Sequence, residues 1–515
     1  MHTDRRSLLL ATAGLLVGGA LRPLPLWGAP RFRQDPFTLG VASGDPLPDG
    51  FVLWTRLAPE PLDGGGMPDA AVEVDWLVAA DEQLTRVLRR GVALAHPDAA
   101  HSVHVEVEGL EPARVYWYRF RCGGQVSRTG RTRTAPRHGA PTEQLRLAWA
   151  SCQHFEQGYF TAYRHLAADA PDLVLHLGDY IYEGSWGEPV RRHEGPECTD
   201  LAGYRARHAR YKLDPDLQAA HAAAPWLCTW DDHEVDNDYA GAESQDGGPP
   251  EQFLRRRAAA YRAYWEHLPL RRRVRPAGPD ALLYSASGWG DLAGIFVLDN
   301  RQYRSDQPCA EPGRHGGQLL ETCAARLDPA QTMLGPEQER WLLAGLGGSR
   351  QRWNLLAQQM LMAPLDQKPG HGSAWWTDGW DGYAAARARI LQHLHSRQVP
   401  NPVVIGGDIH SFWANDLKLD FDDPRSPTVA SEFVGTSISS RGVDHQRFSA
   451  MRADNPHVKF FDSQVRGYAR ATVTPKRWQT EFVSLGQAVV TDPAAPARVL
   501  SRWVVEAGQA GVQAD

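Results

Sequence analysis

The chain has 515 residues, 42% hydrophobic and 23% charged, with 55 Lys and Arg against 61 Asp and Glu for a formal net charge of −6. Those values exclude a disordered or fibrous chain, and the length predicts two domains. The mild acidity gives no electrostatic ground for a specific nucleic-acid partner, because such binding is carried by clustered positive charge.

At the N-terminus, Arg5 and Arg6 precede an apolar, small-residue stretch at 8–20. The pattern resembles a twin-arginine export signal. Residues 1–29 are therefore expected to be a signal peptide read by the twin-arginine export machinery. The stretch falls short of the roughly 20 residues that a spanning helix needs, and no later segment is apolar enough, so no transmembrane segment is expected. The mature protein is expected to be periplasmic or secreted. That compartment permits disulfides. Among Cys122, Cys152, Cys198, Cys228, Cys309 and Cys323, the expected bridge joins Cys309 and Cys323, which flank a loop containing Gly and Pro.

Next, Val72, Val74 and Trp76 alternate with polar residues, as do Val103, Val105 and Val107, and then Tyr116, Tyr118 and Phe120. Period-two alternation between Gly, Pro and Asp clusters predicts short strands. They predict a small β-sandwich over 37–136, ending in a Pro- and Gly-containing linker at 134–142. From there apolar runs alternate with helical patterns. Strands are expected at 145–150, 173–177, 226–230, 295–298, 353–357 and 403–405, with more β structure at 432–434 and 470–473. Helices are expected at 159–170, 202–212, 251–267, 335–345 and 384–395. Continuous apolar runs suit strands buried on both faces, so 145–515 is expected to be an α/β domain.

Polar motifs directly follow several of these runs. They are Ser151-Cys152-Gln153, Gly178-Asp179-Tyr180-Ile181-Tyr182, Asp231-Asp232-His233-Glu234 and Gly407-Asp408-Ile409-His410. Open α/β sheets collect their chemistry at the carboxyl ends of strands. Asp, His, Tyr and Cys arriving there together predict a metal site. Gly178 permits a tight turn that aims Asp179 and Tyr182 at one point, and these are hard anionic donors for a Lewis-acidic cation. In an extended segment Asp408 and His410 point the same way. Within 231–234, one Asp can hold a metal and His233 can give a proton to developing negative charge.

These motifs, in this order, resemble the PhoD-like alkaline phosphatase family. So do Leu298-Asp299-Asn300-Arg301-Gln302-Tyr303-Arg304, Trp380-Asp381-Gly382-Tyr383, Ser43-Gly44-Asp45-Pro46 and Leu53-Trp54-Thr55-Arg56. The resemblance covers nearly the whole mature chain. It implies a two-sheet metallophosphoesterase sandwich flanked by helices, related to purple acid phosphatases and preceded by a small β-sandwich. It also implies Fe3+ and Ca2+. Carried over by position, Cys152 is a thiolate ligand to iron, Asp179 bridges the metals, Tyr182 is the phenolate ligand and His410 completes the iron site. Asp232 and Asp408 face calcium, with a further ligand from Asn237 or Asp238, since calcium prefers several oxygen donors.

The implied activity is exported, metal-dependent hydrolysis of small-molecule phosphate monoesters, diesters or both, through a metal-bound oxide or hydroxide. His233 sits by the leaving or equatorial oxygen. Arg301 or Arg304 clamps a non-bridging oxygen, because guanidinium matches phosphate geometry. Gln358 or Gln359 supplies another polar contact. The competing readings are a phospholipase D-type diesterase of the same family, a redox iron protein, and a non-hydrolytic metal- or phosphate-binding exported protein.

Overall fold

Apolar strands buried on both faces set the architecture. The computed structural model describes residues 32–187, 189–311 and 315–515, so the leader expected over 1–29 lies outside the described residues. Strands Leu145–Ala150, Leu173–Leu177 and Pro225–Thr229 run parallel within a ten-stranded sheet. Strands Ala293–Val297, Trp353–Ala357, Pro402–Gly406 and Thr428–Val434 run parallel within a seven-stranded sheet.

The alternation of side chains along each strand shows how the layers stack. Leu145, Leu147, Trp149, Leu173, Leu175 and Leu177 pack across to Ile295, Val297, Leu355, Ala357, Val403 and Ile405 of the other sheet. The residues between them face outward. Ala148, Ala150 and Val174 meet Tyr163, Leu166, Tyr204 and Tyr211 from the helices Ala162–Ala168 and Leu201–Lys212. On the far side Phe296, Leu356 and Val404 meet Leu342, Leu346, Ile390 and Leu394 from Gly335–Gly347 and Ala384–Ser396. The result is the expected α/β fold of two stacked sheets with helices outside. A slip of one residue would turn each strand's inner set outward, so this packing fixes where every strand ends.

The N-terminal β region is present, and its strands divide between two sheets. Val41–Leu47, Gly50–Arg56 and Ser102–Val107 extend the ten-stranded sheet, with Ser43 and Gly44 pairing in parallel to Pro225 and Trp226. A five-stranded sheet containing Val72–Ala79 and Val115–Cys122 packs on them. Its Val74, Val78, Tyr116, Tyr118 and Phe120 contact Val41, Phe51, Leu53, Val103 and Val105. One layer of this sandwich is thus a continuation of the sheet that carries the strand-end motifs. Trp54 Nε1 reinforces the joint by donating to the Glu266 carbonyl at 3.0 Å.

Three helices differ from expectation, one of them a short unexpected helix at His445–Ala450. The helix expected over 159–170 spans Ala162–Ala168, because a 3-10 turn at Phe155–Gln157 leads in and the Tyr159 N–H donates instead to the Val490 carbonyl at 2.8 Å. An unexpected helix occupies Pro215–Ala223. Its start is written in the chain, since Asp214 accepts from the Asp216 and Leu217 N–H groups and Pro215 takes the first helical position. The Cys309–Cys323 bridge is present, while Cys122, Cys152, Cys198 and Cys228 are free. Among the described residues no helix is long and apolar enough to cross a membrane.

Several histidines are buried as neutral rings. Burial pushes His104 down to about 4, His176 to about 3 and His457 to about 4 from an ordinary 6.5. Neither ring nitrogen of His176 has a hydrogen-bond partner. Below 6.5 the unfolded chain takes up protons that these folded rings refuse. Their stabilisation is fully present above that value and is lost as pH falls toward the folded values. His176 alone accounts for about 2 kcal/mol between its unfolded value and about pH 5. The urea midpoint is expected to fall from about pH 7 to about pH 5, and His176→Phe to make that fall shallower. An identical pH slope in the variant would contradict the assignment.

Candidate metal centre

The loops that leave Leu145–Ala150, Leu173–Leu177, Pro225–Thr229 and Pro402–Gly406 bring their motifs to one place. Their backbone is strained there. Cys152, Asp179, Asp408 and His410 have φ of 58°, 55°, 63° and 53°, a left-handed conformation that costs roughly 1–3 kcal/mol for a residue with a side chain. Close packing of the loops enforces it. A Cβ on Gly178 would lie 2.4 Å from Asp231 Cβ, and one on Gly407 would lie 2.2 Å from Ser151 Oγ. Glu234 clasps two of the loops, accepting from the N–H groups of Asp179 at 3.2 Å, Tyr180 at 2.6 Å and Asp231 at 2.8 Å.

Cys152, Asp179 and His410 each offer a ligand atom, all within 4.8 Å of one another. The Tyr182 hydroxyl joins them, donating to Asp179 Oδ2 at 2.8 Å and lying 3.2 Å from His410 Nε2. His410 Nδ1 lies 2.8 Å from the Arg441 carbonyl, which only accepts. That contact puts the ring proton on Nδ1 and turns the Nε2 lone pair toward the cluster. Ser440 Oγ lies 2.7 Å from the Tyr182 oxygen.

A second group adjoins the first. Asp231, Asp232 and Asp408 converge within the same limit, as do Asp179, Asp232 and His233. Asp179 and Asp232 therefore link all the groups into one nest. Asp179 Oδ1 and Asp232 Oδ1 are buried without a hydrogen-bond partner, an expensive arrangement for carboxylate oxygens unless a cation sits there.

The electrostatics agree. Burial, and then the charge of Asp179, push the Cys152 thiol and the Tyr182 phenol well above their ordinary ranges. Burial and Asp231 do the same to Asp408. Burial also opposes charge on Asp232, but the Arg301 guanidinium and His233 hold it below the carboxylate range. For His233, burial is outweighed by Asp232, Glu183 and Asp179, so the ring is raised well above its ordinary value. Cations reverse the upward shifts, since coordinating thiols are deprotonated outright. Sulfur, phenol oxygen, imidazole and carboxylate at one end, with carboxylates at the other, are donor sets that fit bound cations.

Asn237 and Asp238 line the same cavity of about 520 Å³. Asn237 Nδ2 donates to Gln245 Oε1 at 2.7 Å, and Asp238 Oδ2 accepts from the Gly317 N–H at 2.8 Å. Burial, Asp378 and Asp232 push Asp238 up to about 7.

Arg301 and Arg304, expected as a phosphate clamp, are engaged with carboxylates and carbonyls of the protein. Arg301 is fully buried, with Nε donating to Asp231 and Nη1 to both oxygens of Asp378 at 3.0 and 2.9 Å. Arg304 donates to the carbonyls of Asp378 at 3.0 Å and Tyr239 at 2.9 Å. They hold the nest from beneath. Gln358 and Gln359 are likewise buried braces. Gln358 Oε1 accepts from Asn300 at 2.9 Å and Trp380 at 3.0 Å, and Gln359 Nε2 donates to Thr229 Oγ1 at 2.9 Å.

Glu183 and Asp378 were not singled out from the sequence, whereas Asp231 and Glu234 stand in a strand-end motif as residues that orient its loop. The signal for Glu183 was its place at the end of the Gly178 motif. Its carboxylate takes His233 Nδ1 at 2.9 Å and the Asn237 N–H at 2.9 Å.

The chain is similar to known proteins over most of its length. The family model described as PhoD-like phosphatase matches residues 147–482, and that of the PhoD-like phosphatase N-terminal domain matches 23–136. Alkaline phosphatase D of Bacillus subtilis (strain 168) is 46% identical over 509 residues, covering 97% of this chain and 86% of its own length. A solved structure titled "Structure of PhoD" superposes with a TM-score of 0.89 at 45% identity, covering 94% of this chain and 93% of that one.

Because Arg301 compensates several buried carboxylates, Arg301→Leu is expected to cost about 3–5 kcal/mol in urea unfolding and to lower metal content in elemental analysis. A loss below about 1 kcal/mol, the range of an exposed ion pair, would contradict its bracing role.

Proposed function

The chain belongs to the PhoD-like phosphatase family, and from that membership we propose that its strand-end nest hydrolyses phosphate esters with the help of bound cations. It is a phosphoric ester hydrolase of the alkaline phosphatase D type. The convergence of Cys152, Asp179 and His410 within 4.8 Å carries the reading of the site. Cys152, Tyr182 and His410 would hold Fe3+, because thiolate and phenolate favour the ferric state. Asp232 and Asp408, with Asn237 or Asp238, hold Ca2+, which takes oxygen donors. Asp179 would serve both ions, since it converges with Cys152 and His410 and also with Asp232. Such cations supply Lewis-acid neutralisation of phosphoryl oxygens and acidify water at neutral pH.

The remaining work falls to the chain's own residues. His233, its Nδ1 held by Glu183 at 2.9 Å, keeps Nε2 for proton donation to the leaving oxygen. The Glu183 carboxylate opposite Nδ1 favours the protonated ring. Arg301 fixes Asp231 and Asp378 so that the nest does not open under its own repulsion. No serine is required as nucleophile. The substrates are small-molecule phosphate esters, and the carboxylate-rich cavity gives no footing to a nucleic-acid backbone. Arg5 and Arg6 with the apolar stretch after them support export by the twin-arginine machinery to the periplasm or beyond.

Asp179→Ala is expected to lower release of nitrophenol from p-nitrophenyl phosphate by more than about 100-fold, since losing only an outer partner of a ligand costs 10–100-fold. Metal content should fall with it, and chelation of the unaltered protein should mimic the loss. Unchanged turnover in the variant would defeat the site assignment.

A further inference from the structure

The cavity is lined by unlike groups. Besides the acidic and imidazole groups of the nest, its lining holds Leu319, Leu361, Leu365, Trp376, Val443 and Phe448, with Gln367, Asp444 and Arg447 among them. Leu365 and Phe448 are only 3% and 7% exposed and belong to a core cluster with Trp413, Val434, Met451 and Phe461. That part of the wall is anchored. Leu319 and Trp376 are instead 39% exposed each. They are cross-strand partners in the two-stranded ribbon of Leu319–Leu320 and Trp375–Trp376.

The ribbon stands at a fixed place relative to the nest. The Trp376 indole lies on Gly317, where a Cβ would come within 2.4 Å of Trp376 Cζ2. The N–H of the same glycine donates to Asp238 Oδ2 at 2.8 Å. The Arg326 guanidinium covers the neighbouring Trp375 ring at 4.3 Å from its centroid. An exposed apolar pair is thus held beside Asp238, one of the two candidates for the further calcium ligand.

We infer that Trp376 and Leu319 determine specificity by seating the alcohol portion of the ester, and that they favour aromatic alcohols over polyols. The inference rests on the hydrolase reading. An ester whose phosphoryl group sits on the nest fills the rest of the same cavity with its alcohol portion. A polyol against the indole face and the Leu319 side chain loses water from its hydroxyls and gains little from either apolar surface, the polar groups of the lining outside the nest including Gln367, Asp444 and Arg447. A flat ring covers both exposed side chains and stacks on the indole.

The test measures KM and kcat for phenyl phosphate, decyl phosphate and glycerol 2-phosphate in the full-length metal-loaded protein and in Trp376→Ala and Leu319→Ser. Both positions are exposed, and elemental analysis of each variant checks the nest. Trp376→Ala should raise KM for phenyl phosphate about tenfold while kcat and the glycerol ester stay within about twofold, the scale of lost apolar contact in a pocket. Equal changes for the phenyl and glycerol esters, or none, overturn the inference while leaving the hydrolase reading intact. Movement of decyl phosphate alone assigns the wall to aliphatic chains and overturns the aromatic assignment. No phosphate release from any ester by the unaltered protein removes the hydrolase reading and this inference together.

Discussion

Buried anionic groups repel one another, and here Asp179, Asp231, Asp232 and Asp408 share a nest with a thiol and a phenol. The interlocked layers of the two sheets keep them there. Leu173, Leu175 and Leu177 point into the inter-sheet core, so the strand cannot slip, and Asp179 must emerge where it does. Left-handed backbone at Cys152, Asp179, Asp408 and His410 adds strain at the same place. Arg301 supplies compensating charge from below, yet Asp179 Oδ1 and Asp232 Oδ1 stay without a hydrogen-bond partner. A scaffold that spends its stability this way is organised around cations.

The division of labour follows from that constraint. The residues that face the cavity are the acidic and imidazole groups at the strand ends. Those that keep them in place lie behind, with Glu234 on backbone N–H groups, Glu183 on His233, and Arg301 on Asp231 and Asp378. The apolar ribbon touches the same network through Gly317 and Asp238, so the wall that meets the alcohol and the nest that meets the phosphoryl group are built as one unit.

Much of this was legible in the chain. The runs at 145–150, 173–177 and 353–357 became strands with those bounds, because a strand buried on both faces must be apolar throughout. The Asp, Tyr, Cys and His of the strand-end motifs did converge, since parallel strands deliver their loops to one edge. Pairings between distant segments were not legible. Nothing near Asp378 marks it as the partner of Arg301, 77 residues away, and an exposed clamp and a buried brace have the same sequence. The continuation of the catalytic sheet through Val41–Leu47 was hidden for the same reason. Alternation shows that a segment is a strand and is silent on its neighbour.

The most direct test of the account is anomalous X-ray scattering from crystals of the protein purified with its native metals, recorded across the iron absorption edge. The account predicts an iron peak coordinated by Cys152 Sγ, Tyr182 Oη and His410 Nε2, with a lighter cation among Asp232 and Asp408 and Asp179 between the two. Crystals of active protein that show a protonated Tyr182 hydrogen-bonded to Asp179, and no anomalous peak in the nest, would contradict it.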